Sequence, residues 1–277
     1  MEIQVPSSIV SVVWLQEHLE ASNLIILNAT IQKAVSNNDF DTISNQIPHA
    51  RFFDLKHKFS DASGKFPNTF PSEKQFTTEA QKLGINKESC LVIYDEKGIY
   101  SSARVWWMFK AFGHKNVAVL DGGFPAWKYA GFKVEPKKAT KKIVLGNFKA
   151  CYNPKYMRFF EDIVETVKSK SHVIIDARSE SRFKGLEPEP RQGLRSGNIP
   201  DSINLPYTRL LANGCLKTAT ELKVIFADIV SADNAIIFSC GSGITACILA
   251  LGAEISGYEN ISVYDGSWTE WGSLIKE

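Results

Sequence analysis

Short runs of apolar residues recur along this chain, and each run ends at polar or glycine-rich residues. Their length and their β-branched side chains predict buried strands, while the segments between several of them have the composition of helices. Strands that alternate with helices indicate an α/β fold, in which a mostly parallel sheet carries helices on both faces. The clearest predicted strands are Leu91–Tyr94, Val117–Leu120, Ala235–Phe238 and Ile261–Tyr264.

This pattern occurs twice. Residues 90–103 align without a gap with residues 234–247, at an offset of 144 residues, the distance from Cys90 to Asn234. A repeat of this length predicts two copies of one domain rather than a solenoid. Further pairs at the same offset are Asp121 with Asp265, Gly122 with Gly266 and Trp127 with Trp271.

The repeat also predicts the domain boundaries. We expect an N-terminal domain over residues 1–135, a linker over residues 136–152 and a C-terminal domain over residues 153–277. The linker is indicated by the lysines and the proline of EPKKATKKIVLG, because such a stretch interrupts both strand and helix patterns.

Composition and charge narrow the possible partners. The 277 residues are 44% hydrophobic and 22% charged, with a formal net charge of +2, which is ordinary for a soluble globular protein. This balance predicts neither nucleic acid nor a membrane as a partner. The first residues lack the basic start and apolar stretch of a secretion signal. Five scattered cysteines without a C-x-x-C pair indicate a reducing compartment, which we expect to be the cytoplasm.

The two copies differ most at one strand-to-helix turn. The N-terminal copy reads EKGIY at residues 96–100, whereas the C-terminal copy reads CGSGI at residues 240–244. The glycines of the second turn allow backbone amides to face a bound anion, and a helix beginning near Thr245 directs its positive end to the same place. Both effects favour the thiolate form of Cys240. We therefore expect one working site in the C-terminal domain and a non-catalytic N-terminal domain.

Cys240 admits three interpretations. Cysteine is often a buried packing residue, and we expect that role for the other four cysteines. A phosphatase loop has the pattern C-x5-R, but the sixth residue after Cys240 is Ala246. Sulfur transfer needs only a thiolate that accepts a sulfur atom as a persulfide and passes it on. The loop contains no Lys or Arg between Cys240 and Cys247, which disfavours a dianionic donor such as thiosulfate.

Four stretches carry a resemblance to a known family: YDEKGIYSSARVWWMFKAFGH, VLDGGFPAW, DARSESRFKGLEPEPRQGLRSGNIPDSINLPY and CGSGITAC. With the tandem repeat, they resemble the rhodanese superfamily over nearly the whole chain, which implies two tandem rhodanese-like domains. Members that use 3-mercaptopyruvate carry the loop C-G-S/A-G-V-T, matched here with Ile244 in place of valine. Members that prefer thiosulfate resemble C-R-K-G-V-T instead.

The resemblance also implies roles for side chains. Arg182 and Arg191 match two arginines that bind the substrate carboxylate and ketone, and bidentate guanidinium donors suit a planar α-keto acid. Ser242 and Asp54 match two members of a Ser-His-Asp set proposed to handle protons. Asn68 stands where that set has its histidine, and an amide can orient a substrate but cannot titrate.

The implied reaction moves sulfur from 3-mercaptopyruvate through a Cys240 persulfide to a small thiol, thioredoxin or cyanide, and releases pyruvate. No metal or organic cofactor is expected, and the chain is expected to be a monomer or a weak dimer. A thiosulfate sulfurtransferase remains an alternative, as does a non-catalytic rhodanese-like module that senses thiols or docks a partner. The loop residues expected to hold the charge on sulfur are Gly241, Ser242, Gly243, Ile244 and Thr245.

Overall fold

The computed structural model describes residues 2–31, 45–137 and 143–276, so residues 138–142 of the predicted linker lie outside the described residues. The chain divides into two compact units. The first contains Met1–Phe59, Pro71–Cys151 and Asn213–Cys215. The second contains Ser60–Phe70, Tyr152–Ala212 and Leu216–Glu277. The repeat alone does not indicate that Ser60–Phe70 groups with the C-terminal half.

The first unit contains a five-stranded parallel sheet in the order β1-β6-β5-β2-β4 within the described residues. The short strands β3 and β7 pair antiparallel beside it. The strands are β1 (Ile9–Val10), β2 (Leu24–Asn28), β3 (Asn45–Gln46), β4 (Arg51–Phe52), β5 (Cys90–Tyr94), β6 (Val117–Leu120) and β7 (Glu135–Pro136). The helices are α1 (Val12–Glu17), α2 (Glu73–Lys82), α3 (Ser101–Ala111) and α4 (Gly123–Tyr129).

Helices cover both faces of this sheet because its strands are apolar on both sides. All five residues of β5 are buried. Val92 and Tyr94 pack in one cluster with α1 and α4, through residues such as Leu15 and Trp127. Helix α3 packs on β5 and β6 and contacts α2 through its aromatic side chains. Strands buried on both faces are typical of parallel sheets.

The second unit repeats the architecture with a five-stranded parallel sheet in the order β10-β9-β13-β14-β8. Its strands are β8 (Met157–Arg158), β9 (Val173–Asp176), β10 (Ile203–Asn204), β11 (Leu211–Ala212), β12 (Cys215–Leu216), β13 (Ile236–Ser239) and β14 (Ile261–Tyr264), although Cys215 itself is grouped with the first unit. Its helices are α5 (Phe160–Ser169), α6 (Glu180–Phe183), α7 (Ala219–Ala227), α8 (Ala246–Ile255) and α9 (Ser267–Leu274), with a 3-10 turn at Tyr207–Leu210.

The two sheets have the same strand order, read from β4 to β1 in the first unit and from β10 to β8 in the second. The predicted fold is therefore confirmed: two domains of one kind, each with a mostly parallel sheet between helices. The predicted bounds of β6 and β14 are those of the structure, and β13 ends at Ser239, directly before Cys240. No helix in the described part of the chain has the length and apolar character needed to cross a bilayer.

Candidate active site

Cys240 lies at the carboxyl end of β13, where open parallel sheets bind their ligands. Cys240 is buried, with 1% of its surface exposed. Helix α8 begins at Ala246, so the loop from Cys240 to Thr245 joins the central strand to the N-terminus of a buried helix. This is the setting that the glycines of the loop predict, and it directs the positive end of the α8 dipole toward the loop.

The first turn of α9 is hydrogen-bonded to this loop. Ser267 Oγ accepts hydrogen bonds from the amides of Cys240 (3.1 Å) and Gly243 (3.2 Å). The same oxygen lies 3.0 Å from the carbonyl of Tyr264 and 3.8 Å from Cys240 Sγ, and its proton can be donated to one of the two. Ser267 is fully buried and has a φ of 51°, a strained conformation for serine. The hydrogen bonds that the Ser267 hydroxyl makes with the loop offset the cost of this backbone conformation.

The loop amides divide into two groups. The amide of Gly243 is directed to Ser267 Oγ, and the φ of 74° at Gly243 explains why this position is glycine. Among the residues that the structure describes, no acceptor faces the amides of Gly241, Ser242, Ile244 or Thr245. Those amides remain for water or a ligand, as in other anion-binding loops.

Arg182 lies directly against the loop. A Cβ atom added to Gly241 would be 3.0 Å from Arg182 Nη2, so the absent side chain leaves room for the guanidinium. Glu189 holds the same guanidinium through Nη2–Oε2 (2.5 Å) and Nε–Oε1 (3.3 Å) contacts. The loop therefore has a cation beside it although it contains none, and the carboxylate of Glu189 compensates that charge.

Arg178 has a structural role beside Arg182. Its buried guanidinium contacts Asp176 Oδ2 at 2.7 Å and Glu189 Oε1 at 2.8 Å, and it stacks on the ring of Trp268. Glu189 is thus shared by two guanidinium groups and links Arg182 to the buried ion pair of Arg178 and Asp176.

Arg191 reaches the loop through a hydroxyl group. Arg191 Nη1 donates to Thr269 Oγ1, and Thr269 Oγ1 donates to the carbonyl of Gly241. The backbone amide of Thr269 donates to the same carbonyl at 3.0 Å. Both arginines assigned from the sequence therefore lie at Gly241, one directly and one through Thr269.

Asn68 also contacts the loop. Its Nδ2 lies 3.2 Å from both the carbonyl and the hydroxyl oxygen of Ser242. The backbone of Asn68 has a φ of 60°, which asparagine tolerates better than most residues. Asp265 anchors the same segment by accepting from the amide of Phe70 at 2.8 Å. The structure therefore brings together Asn68 and Ser242, two positions that the family resemblance implies for one set.

Asp54 belongs to the first unit, and its described partner is a histidine. The carboxylate of Asp54 contacts His57 Nδ1 at 2.9 Å and accepts from the His57 amide at 3.1 Å. The side chain of His57 is 77% exposed. The roles assigned to Asp54 and Asn68 in proton handling stay predictions.

The corresponding loop of the first unit is filled by its own side chain. The Asp95 carboxylate accepts from the amides of Lys97 (2.9 Å), Tyr100 (2.8 Å) and Ser102 (2.9 Å). Gly123 stands where the repeat has Ser267, and a Cβ atom there would be 2.3 Å from the carbonyl oxygen of Gly98. These contacts leave no room for an external anion at those amides, which supports a non-catalytic N-terminal domain.

Three residues of the site were not predicted from the sequence: Ser267, Thr269 and Glu189. The repeat contained a signal for the first two, since the offset of 144 residues pairs Ser267 with Gly123 and Thr269 with Pro125. The hydroxyl groups are present only in the copy that has the cysteine.

The remaining cysteines differ in exposure. All five are free, and Cys90 and Cys247 are buried as expected. The packing role expected for Cys151 is wrong, because that residue is exposed, and Cys215 is only partly buried.

This chain is similar to known proteins in both sequence and structure. The sequence profile of the family described as Rhodanese-like domain matches residues 11–130 and 160–274. Thiosulfate/3-mercaptopyruvate sulfurtransferase 1, mitochondrial, from Arabidopsis thaliana is 38% identical over 95% of this chain and 75% of the relative. The 3-mercaptopyruvate sulfurtransferase of Mus musculus is 36% identical over 95% and 91%. The crystal structure of SseA from Escherichia coli, a 3-mercaptopyruvate sulfotransferase of rhodanese fold, has a TM-score of 0.83 and 32% identity over 95% of this chain and 99% of that one.

Proposed function

This chain belongs to the rhodanese family as a tandem-domain sulfurtransferase, and from that premise we propose that it takes sulfur from 3-mercaptopyruvate and carries it as a persulfide on Cys240. The observation that carries this proposal is the loop itself. Cys240 adjoins amides that have no protein acceptor among the described residues, and two guanidinium groups converge on Gly241.

In the proposed first step, the Cys240 thiolate attacks the sulfur of 3-mercaptopyruvate. A sulfur–sulfur bond forms, the carbon–sulfur bond breaks, and its electron pair stays on the carbon fragment as the enolate of pyruvate. One proton taken up at that carbon gives pyruvate, and the protein holds the sulfur as Cys240–S–SH. The unsatisfied loop amides and the N-terminus of α8 stabilise negative charge on the two sulfur atoms.

The arginines bind the rest of the donor. Arg182 is held by Glu189 and Arg191 by Thr269, so both guanidinium groups are oriented before the substrate arrives. A carboxylate with an adjacent ketone offers coplanar oxygen acceptors, which match the fixed donors of guanidinium. As the enolate forms, negative charge develops on the ketone oxygen, and a guanidinium that contacts this oxygen binds the transition state more tightly than the substrate.

In the second step, a nucleophilic acceptor, either a thiolate or cyanide, forms a bond to the outer sulfur, the bond between the two sulfur atoms breaks, and its electron pair regenerates the Cys240 thiolate. A small thiol, thioredoxin or cyanide fits this role, because each is a nucleophile that can take a single sulfur atom. We place the reaction in a reducing compartment such as the cytoplasm, where five free cysteines would persist.

Intact mass spectrometry after incubation with 3-mercaptopyruvate tests the proposal. We expect a gain equal to one sulfur atom with matching release of pyruvate, and we expect Cys240→Ser to abolish both. Serine at each of the other four cysteines serves as the matched control and should preserve them. Substantial pyruvate release by Cys240→Ser would refute the mechanism. A wild-type protein without sulfur gain from any donor would favour the non-catalytic module.

Thiosulfate is the second candidate donor, and the name of the Arabidopsis relative includes it. The position of Arg182 weakens the argument from the loop composition, since a cation lies beside the loop after all. Glu189 compensates that charge, and Arg191 adds one further positive charge at Gly241, so the balance of charge still favours a monoanionic keto acid over a dianion. Parallel kinetics with the two donors separate the candidates, and we expect a higher kcat/KM for 3-mercaptopyruvate.

A further inference from the structure

Thr269 occupies the junction between the loop and Arg191. The residue is 5% exposed. Its hydroxyl accepts from Arg191 Nη1 and donates to the carbonyl of Gly241, and its own amide donates to that carbonyl as well. We propose that Thr269 is a positioning residue for binding of the sulfur donor: it holds the Arg191 guanidinium at a fixed position relative to the loop that carries Cys240. This inference rests on the proposed function.

A hydroxyl group suits the chemistry of both partners at this position. A guanidinium can only donate hydrogen bonds, and a carbonyl oxygen can only accept them. A group that joins the two must accept from one and donate to the other, and a hydroxyl is the smallest side-chain group that does both. The β-branched side chain adds rigidity, because threonine has few χ1 rotamers. Valine has the same shape without the hydroxyl, whereas serine retains the hydroxyl without the branch.

The repeat provides an internal comparison. The N-terminal copy has Pro125 at the position of Thr269 and Glu96 at the position of Cys240. Proline has neither a hydroxyl nor an amide proton, so it could make none of the three hydrogen bonds that join Thr269 to Arg191 and Gly241. The hydroxyl is therefore found in the copy that has the cysteine and is absent from the copy that lacks it, as expected for a residue that serves the site rather than the fold.

The test compares Thr269→Val with Thr269→Ser, and uses Ser273→Ala as the matched control. Ser273 lies on the same helix and donates its hydroxyl proton to the carbonyl of Thr269 at 2.6 Å. Persulfide formation is followed by rapid quench and intact mass over a series of 3-mercaptopyruvate concentrations. We expect Thr269→Val to raise the half-saturating concentration about tenfold, as for the loss of one charge-assisted hydrogen bond, while the maximal rate changes little. Thr269→Ser and Ser273→Ala should resemble the wild type.

A purely structural role would give other results. If Thr269 only supports the loop, Thr269→Val should also slow sulfur transfer from the preformed persulfide to a small thiol, and we expect that half-reaction to be unchanged. If Thr269 acts through Arg191, adding Thr269→Val to Arg191→Met should have little further effect on half-saturation. Equal effects in the two backgrounds, or a Thr269→Val variant that binds the donor like the wild type, would overturn the inference alone. A wild-type protein that forms no persulfide from 3-mercaptopyruvate would overturn the proposed function as well.

Discussion

At the scale of single residues, the two arginines of the site are held by different partners. Arg182 is ion-paired with Glu189, whereas Arg191 is hydrogen-bonded to the neutral hydroxyl of Thr269. A lysine at either position would keep the positive charge but would replace a planar fork of donors with a point charge. The arginines therefore offer a test of geometry that is separate from charge.

We expect Arg182→Lys and Arg191→Lys each to lower kcat/KM for 3-mercaptopyruvate by about tenfold or more, from the loss of about 1.5–3 kcal/mol in a charge-assisted contact. Steady-state pyruvate release measures the effect. Arg158→Lys is the matched control, because its Nη1 donates to the backbone carbonyl of Pro154. Wild-type kcat/KM in both site variants would show that these residues do not bind the donor.

Asn68 permits a second test at this scale. Its amide contacts Ser242 but cannot titrate, so we expect kcat/KM to show no step that belongs to a histidine. Asn68→His should add a step near a pH of about 6.5, the ordinary pKa of histidine, and histidine also tolerates the positive φ of this position. The measurement is kcat/KM against pH.

His57→Gln is the control for Asn68, since His57 contacts Asp54. We expect this variant to keep the wild-type profile. A wild-type step near neutrality that disappears in His57→Gln would assign proton transfer to His57 instead.

At the scale of elements, the two strand-to-helix loops differ in what their backbone amides bind. In each loop the backbone amides of a helix N-terminus need acceptors. The first unit supplies the Asp95 carboxylate, whereas the second leaves several amides for a ligand. Burial raises the pKa of Asp95, and its hydrogen bonds from Ser102, Lys97 and Tyr100 oppose that shift.

Asp95→Asn should destabilise the protein by about 1–3 kcal/mol, because the amide nitrogen cannot accept a hydrogen bond and leaves a buried N–H without a partner. Urea unfolding measures the change. Asp61→Asn is the control: Asp61 accepts from Ser63 in an exposed turn, where we expect a change within about 0.5 kcal/mol.

The raised pKa also predicts the sign of a pH effect. As the pH rises above 3.8, the ordinary value, the unfolded Asp95 releases its proton before the folded one. The advantage of the wild type over Asp95→Asn should therefore be largest at low pH and shrink as the pH rises through the folded pKa. An advantage that grows over this range would show that the amide hydrogen bonds outweigh burial.

At the scale of the whole molecule, the thiols are divided between surface and core. Cys151 is exposed. Cys90 is buried, and this burial raises its pKa to about 12. Cys215 lies between them, with a pKa raised by partial burial and by Asp121. Because the thiolate is the reactive form, these surroundings predict an order of reactivity.

Timed alkylation with iodoacetamide at a pH of about 8, read by peptide mass, should label Cys151 before Cys215, and Cys90 only after unfolding. The same digest assigns any added sulfur to one cysteine, which supports the persulfide measurement. Labelling of Cys90 as fast as Cys151 in the folded protein would contradict the described burial.

The sequence alone determined the features that depend on local pattern. Apolar runs that alternate with helical stretches predicted both sheets, and the offset of 144 residues predicted that they are copies. Cys240 was found because glycines that follow a buried strand are a local signal. Arg182, Arg191 and Asn68 were assigned by resemblance, and their contacts around the loop came only from the structure.

The tertiary structure decided the contacts between residues that are distant in the chain. Ser267 bridges amides of the Cys240 loop, Thr269 joins Arg191 to Gly241, and Asn68 reaches Ser242 across 174 positions of sequence. None of these contacts follows from spacing, because each depends on how a helix or loop packs against the carboxyl end of the sheet. Hydrogen bonds require donor and acceptor atoms to lie within a few tenths of an ångström of a separation of about 2.9 Å, and only the packed fold places atoms with that precision.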